Sequence, residues 1–143
     1  MKVVLLIHVF ATLFMAGLIW FVQIVHYPLF ANVGSEEFRS YEERHQRLTT
    51  WIVGPAMLTE LATGLWLVKN VPADSNGIVW IGVVLVGVIW IATATLSIPA
   101  HNSLTVEYTS AAYNKLVTTN WIRTIAWTVR AILVLVMTFH TMN

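Results

Sequence analysis

The sequence predicts an all-α integral membrane protein, a single domain over residues 1–143 in which four spanning helices run up and down as a bundle, and three observations carry that prediction. Of the 143 residues, 57% are hydrophobic and only 10% are charged, with a mean hydropathy of +0.71, a balance typical of chains dissolved in lipid. Four stretches, 3–30, 48–68, 78–100 and 119–139, each approach the ~20 apolar residues that a spanning helix needs. The segments between them collect the charged and turn-forming residues.

The first stretch follows a single Lys2 and stays apolar far beyond the roughly 7 to 15 residues of a signal-peptide core, with no small-residue cleavage site after it. It reads as a retained spanning helix. Next comes "ANVGSEEFRSYEERHQRLTT", a long polar connection in which Ser35 is expected to cap a helix starting at Glu36. That helix is expected to extend beyond the membrane, run unbroken into the second span and kink at Pro55, because an interior proline removes one backbone hydrogen bond and crowds the preceding turn. Between the second and third spans, "KNVPADSNG" carries Pro72, Asp74, Asn76 and Gly77 and reads as a plain surface turn. The third and fourth spans are joined by "HNSLTVEYTSAAYNKLVTTN", again long and polar.

Four crossings put both termini on one side and the two long connections on the other. The long-loop side holds Arg39, Arg44, Arg47 and Lys115 against Lys2 and Lys69 opposite, so the positive-inside rule places the long loops in the cytoplasm. The absence of cysteine excludes disulfides, thiolate metal sites, iron–sulfur clusters and cysteine nucleophiles. A net charge of +1 with scattered arginines gives no footprint for nucleic acid. The partners expected are the lipid bilayer and a lipophilic small molecule, with a homo-oligomer left open.

In an up-down bundle the ends of helices one and three meet the beginnings of helices two and four. His26, His45 and His101 therefore belong at one height, together with Glu42, Tyr27, Tyr41, Asn102, Asn120 and Arg123. At ~100° per residue, His8, Thr12, Met15, Ile19 and His26 share a face of helix one, and Trp90, Ala94 and Ser97 run toward His101 on helix three. A charge facing lipid at mid-bilayer costs about 2.5–3.5 kcal/mol, so Glu60, Arg123 and Arg130 should turn inward and pair. Two polar layers follow, the second made of His8, Glu60 and Arg130. That second layer reads either as a buried ion pair that fixes helix register or as a proton relay.

For the histidine layer three readings stand. The rings are interfacial edge residues with their nitrogens in water, ligands of a metal ion or haem, or the wall of a purely organic pocket. "EERH" places Glu42 three residues before His45, the spacing di-iron bundles use, but it occurs once and reads better as a charged helix start. Trp51, Trp66, Trp80 and Trp121 fall near helix ends, where indoles favour the interface. Trp20, Trp90 and Trp127 lie deeper, as pocket wall or core filler. The candidate roles are then metal ligation for His26, His45 and His101, proton transfer for Glu42 or Tyr41, and anchoring of an anionic or carbonyl group for Arg123. Asn102, Asn120, Trp90 and Trp127 are the candidate cofactor contacts.

The segments "SIPAHNSL" and "NWIRT" resemble the signature of the anthrone oxygenase-like family of small four-helix membrane proteins. By that resemblance Pro99, Asn102, Leu104, Asn120 and Arg123 belong to the signature, and it implies a four-helix membrane bundle with oxidoreductase chemistry. "IHVFATLFMAGLIW" is similar to the first helix of small membrane protoporphyrinogen oxidases, with His8 in the corresponding place, which implies haem or porphyrin handling. The function expected is a membrane-embedded oxidoreductase or redox-cofactor protein with a histidine-bound metal or haem. The alternatives are a non-enzymatic accessory or binding subunit docking through "EEFRSYEERHQR", and a proton-coupled transporter component.

Overall fold

The structure, a computed structural model, describes residues 1–71 and 73–142. These residues form four long helices and no strand: α1 (Lys2–Phe30), α2 (Ser35–Asn70), α3 (residues 73–106) and α4 (Ser110–Met142). Each is long and apolar enough to cross a membrane. The helices pack as a closed ring in which α1 lies against α2 and α4, and α3 lies against α2 and α4.

The helix expected within the first long connection is present, and the second long polar connection is helical over most of its length as well. α2 begins at Ser35 with Gly34 as its N-cap, so Ser35 sits inside the helix rather than capping it. Glu36 and Glu37 occupy the first turn, where carboxylates meet the positive end of the helix dipole. From there α2 continues without interruption to Asn70, with Pro55 inside it. On the same end, only residues 107–109 separate α3 from α4. The expected turn at "KNVPADSNG" is also shorter: Asp74, Asn76 and Gly77 lie in α3, and Pro72 lies outside the described residues. Short polar residues in a helix's first turns satisfy its free N–H groups, so the same letters suit a helix start as well as a loop.

Burial is layered along the bundle. A middle core gathers Met15, Ile19, Met57, Ile89, Ala126 and Trp127. One end is filled by Tyr27, Phe30, Phe38, Ala100, Leu104 and Leu116, and the other by Leu5, Leu67, Val79 and Met137. The outer faces are apolar, with Phe10, Ile24, Val84, Ile125 and Phe139 all exposed. The buried set meanwhile includes His8, Gln23, Glu42, Glu60, Asn120, Arg123 and Arg130. Such a polar interior behind an apolar coat is the arrangement lipid favours. The four end tryptophans, Trp51, Trp66, Trp80 and Trp121, are exposed.

Two widened π-helical turns break the regularity, at Val22–His26 in α1 and Thr93–Ser97 in α3. Each ends two residues before a proline, Pro28 or Pro99. A proline ring clashes with the carbonyl four residues back and withholds a donor from it, and the wider turn relieves both problems. The consequence is a shift of helical phase. Gln23 is buried within the first wide turn and Tyr27 and Phe30 beyond it, while of the two residues expected on the inner face of α3, Ala94 is exposed and Ser97 is buried.

Candidate functional site

At the end of the bundle where α1 finishes, α2 starts and α3 finishes, three imidazoles meet. His26 Nε2 and His45 Nδ1 lie 2.9 Å apart, one carrying the shared proton, and Thr49 Oγ1 is 3.2 Å from the same His45 nitrogen. The His45 and His101 ring centres are 5.4 Å apart. Phe30, fully buried, sets its ring edge-on to His26, His45 and His101 at centroid distances of 5.1, 5.2 and 6.4 Å. It is the wedge that spaces the cluster. Phe30→Ala is expected to lower stability by about 3–5 kcal/mol and to loosen all three rings, read by thermal unfolding in detergent and by broadened histidine NMR signals.

His101 belongs to a line of proton donors and acceptors. Its Nδ1 is 2.5 Å from Glu42 Oε1, and its Nε2 is 3.0 Å from the Tyr27 hydroxyl. An ionised carboxylate only accepts, so Nδ1–H donates to Glu42, leaving Nε2 to accept the Tyr27 O–H. Glu42 is 0% exposed. Gln46 Nε2 donates to its Oε1 at 3.3 Å and to Thr105 Oγ1 at 2.8 Å, while Oε2 has no protein partner. The arrangement of phenol, imidazole and carboxylate is the logic of a catalytic triad with tyrosine at its head.

Arg123 stands beside the Tyr27 side chain. Its Nη1 donates to Ser97 Oγ at 2.9 Å, and its guanidinium lies over the Trp127 ring, 5.4 Å from the centre. Behind it, Asn120 Nδ2 donates to Gln23 Oε1 at 2.8 Å, and Gln23 Nε2 donates to the Val117 carbonyl. Both π turns thus supply residues to this region: Gln23 and His26 from one, Ser97 from the other.

The cluster walls two connected apolar spaces. A cleft of about 470 Å³ between α1 and α2 is lined by Leu18, Phe21, His26, Tyr41, His45 and Leu48. A deeper cavity of about 220 Å³ includes Tyr27, His45, Trp90, His101 and Arg123 among its walls. His45 and Thr49 border both.

Most of the expected site residues therefore come together: His26, His45, His101, Glu42, Tyr41, Arg123 and Trp90 all contact the cluster or its cavities. Asn120 is buried one turn behind Arg123, bonded to Gln23. Trp127 lies beneath Arg123 and donates to Glu60 Oε2 at 2.9 Å. The structure does not bring Asn102 to the cluster; it is exposed and lines an outer groove with Arg39, Glu43 and Arg47. Trp20 is also turned outward, its indole donating to Thr128 Oγ1 at 3.0 Å. Tyr27, expected at this height, and Ser97, expected on the face that runs toward His101, join the site, as do Thr49, one turn along the His45 face, and Gln46 and Gln23, which no spacing in the sequence marked.

The second polar layer lies beyond the middle core. Arg130 Nη2 is 3.2 Å from Glu60 Oε1, Nη1 donates to the Gly82 carbonyl, and Trp127 occupies the other Glu60 oxygen. Thr63 donates to Thr59 O at 2.5 Å, so His8 Nδ1, 2.7 Å from Thr63 Oγ1, supplies the proton of their hydrogen bond. Each ion here is satisfied by protein groups, the pattern of a register-fixing pair. Among the described residues the two layers touch through Trp127, whose indole N–H donates and cannot relay a proton.

Among the described residues, no three His, Asp or Glu side chains form a ready-made ion cage. No family profile, curated protein or solved structure matches the chain.

Proposed function

We propose that the chain is a membrane-embedded oxidoreductase acting on a lipophilic substrate that enters the α1–α2 cleft from the lipid, with His26, His45 and His101 as ligands of a metal ion. The observation that carries this reading is the meeting of three imidazoles from three helices, backed by a wholly buried carboxylate, with His45 and His101 on the wall of the inner cavity and His26 on the cleft. Nitrogens of His26 and His45 at 2.9 Å are near the spacing of two ligands each about 2.0–2.1 Å from one ion. His101 would complete the set on giving up the Tyr27 hydrogen bond, and Glu42 would hold its other nitrogen.

When bound, a redox ion supplies electron transfer from the substrate to dioxygen. The balance is the loss of two protons and two electrons by the substrate, with dioxygen becoming hydrogen peroxide. The chain's own groups manage the protons and the pose. With His26, His45 and His101 holding the ion, the proton exits would be Glu42 behind His101 and Tyr41 at the cleft mouth. Arg123 fixes an anionic or carbonyl group at the cavity's inner end. The bundle spans the bilayer with both termini on one side and the histidine end toward the cytoplasm, and α2 bends at Pro55.

The test is elemental analysis with an absorption spectrum of the purified full chain. A stoichiometric transition metal without a Soret band is the expected result, and a Soret band assigns the cluster to haem. Absence of both overturns the metal reading. A second reading, a non-enzymatic binding subunit, draws on the open groove of about 800 Å³ lined by Arg39, Glu43, Arg47, Trp51 and Asn102, and it predicts metal-free protein.

A further inference from the structure

The interior ions do not balance by contact. Arg130 is closed by Glu60, and Glu42 faces His101 and Gln46. Arg123 is 7% exposed, yet its partners are all neutral: the Ser97 hydroxyl, the Trp127 ring and the Tyr27 phenol. Its Nε is buried with no partner. Guanidinium remains protonated in proteins, and a buried cation is costly until an anion meets it. The cavity that Arg123 closes is otherwise apolar along Met15, Leu18, Met57 and Trp90.

We infer that this cavity takes the head of an amphiphile bearing one delocalised oxyanion, a carboxylate or an acidic phenol or enol, seated on Arg123 and the Tyr27 hydroxyl. Its apolar body lies along Met15, Leu18 and Trp90 and leaves through the α1–α2 cleft. A neutral ketone or alcohol of the same shape leaves the guanidinium uncompensated and binds more weakly. This deepens the proposed function by naming the substrate's class, and as substrate recognition it rests on that reading; the binding itself requires no ion.

The experiment uses the full chain in phosphatidylcholine nanodiscs. One arm titrates cis-parinaric acid and its methyl ester, read by energy transfer from the tryptophans. The other titrates a 7-hydroxycoumarin carrying an alkyl chain against its methyl ether. At least one anion is expected to bind more tightly than its neutral twin by about tenfold or more. Arg123→Gln should abolish that preference, and Arg123→Lys should retain part of it. Which arm responds identifies the source, carboxylate or phenolate. Equal binding of both twins in both arms overturns the inference, and so does a preference that survives in Arg123→Gln. The comparison of twins is made on the wild-type protein, so a misfolded variant does not blunt it. Metal content is measured on the same samples: protein without metal that still prefers the anion refutes the oxidoreductase reading alone.

Discussion

Glu60→Leu is expected to destabilise the bundle by about 3–5 kcal/mol, because it strands a buried guanidinium. Arg130 is 1% exposed, and Glu60 Oε1 accepts from both its Nε and Nη2. Removing the carboxylate also leaves the Trp127 indole N–H without its acceptor. Arg130→Leu should cost a comparable amount through the opposite orphan, the Glu60 carboxylate. The double variant Glu60→Leu with Arg130→Leu should regain most of the loss, since replacing both members of a buried pair by apolar groups of similar size is often neutral or better. Unfolding in detergent, followed by circular dichroism for the four proteins, gives the cycle. Two single losses that simply add in the double variant, with no recovery, are incompatible with a register-fixing ion pair. Gly82, whose carbonyl takes Arg130 Nη1, lies on α3, so the pair ties three helices and its loss should loosen the whole end.

Substitutions in the histidine cluster are expected to act on chemistry far more than on folding. His45→Ala should remove metal retention, because His45 alone contacts His26, faces His101 and borders both cavities. Helical content should stay near wild type, since His45 is only partly buried and its truncation costs little core area. Glu42→Gln is the sharper probe. It keeps the shape and the hydrogen bond with His101 but removes the charge that accepts the Nδ1–H bond, so turnover of a lipophilic oxyanion should fall by about 10²–10⁴ with metal content preserved. The pair of results separates holding the ion from moving the proton. If Glu42→Gln leaves turnover unchanged, Glu42 serves only to hold His101 in place.

The helices and their order were legible from hydropathy because lipid punishes every exposed polar backbone, leaving long apolar runs one structural option. Convergence of His26, His45, His101 and Glu42 was legible for a related reason: in an up-down bundle, distance from a helix end fixes height. What height does not supply is azimuth. Asn102 follows His101 in sequence and shares its level, yet one residue is a rotation of ~100° and puts it on the outer face. Gln23 was hidden by the first π turn, and the second turned Ala94 outward while Ser97 kept its expected place, because such turns shift the phase that a uniform helix projects. Each turn precedes a proline, so the signal was present in Pro28 and Pro99, as a widened turn rather than a kink. The first polar connection was legible as a helix start, whereas "KNVPADSNG" and the connection before the fourth span misled because Ser, Asp and Asn serve helix starts as readily as loops.

The account's central claim is that imidazoles from three helices hold one guest in the apolar interior. X-ray absorption at the metal edge, on the full chain loaded with one equivalent of metal, measures that most directly. The predicted spectrum carries the outer-shell scattering of three imidazoles with nitrogens at about 2.0–2.1 Å, diminished in His45→Ala. A shell of oxygen alone, unchanged by that substitution, would contradict it.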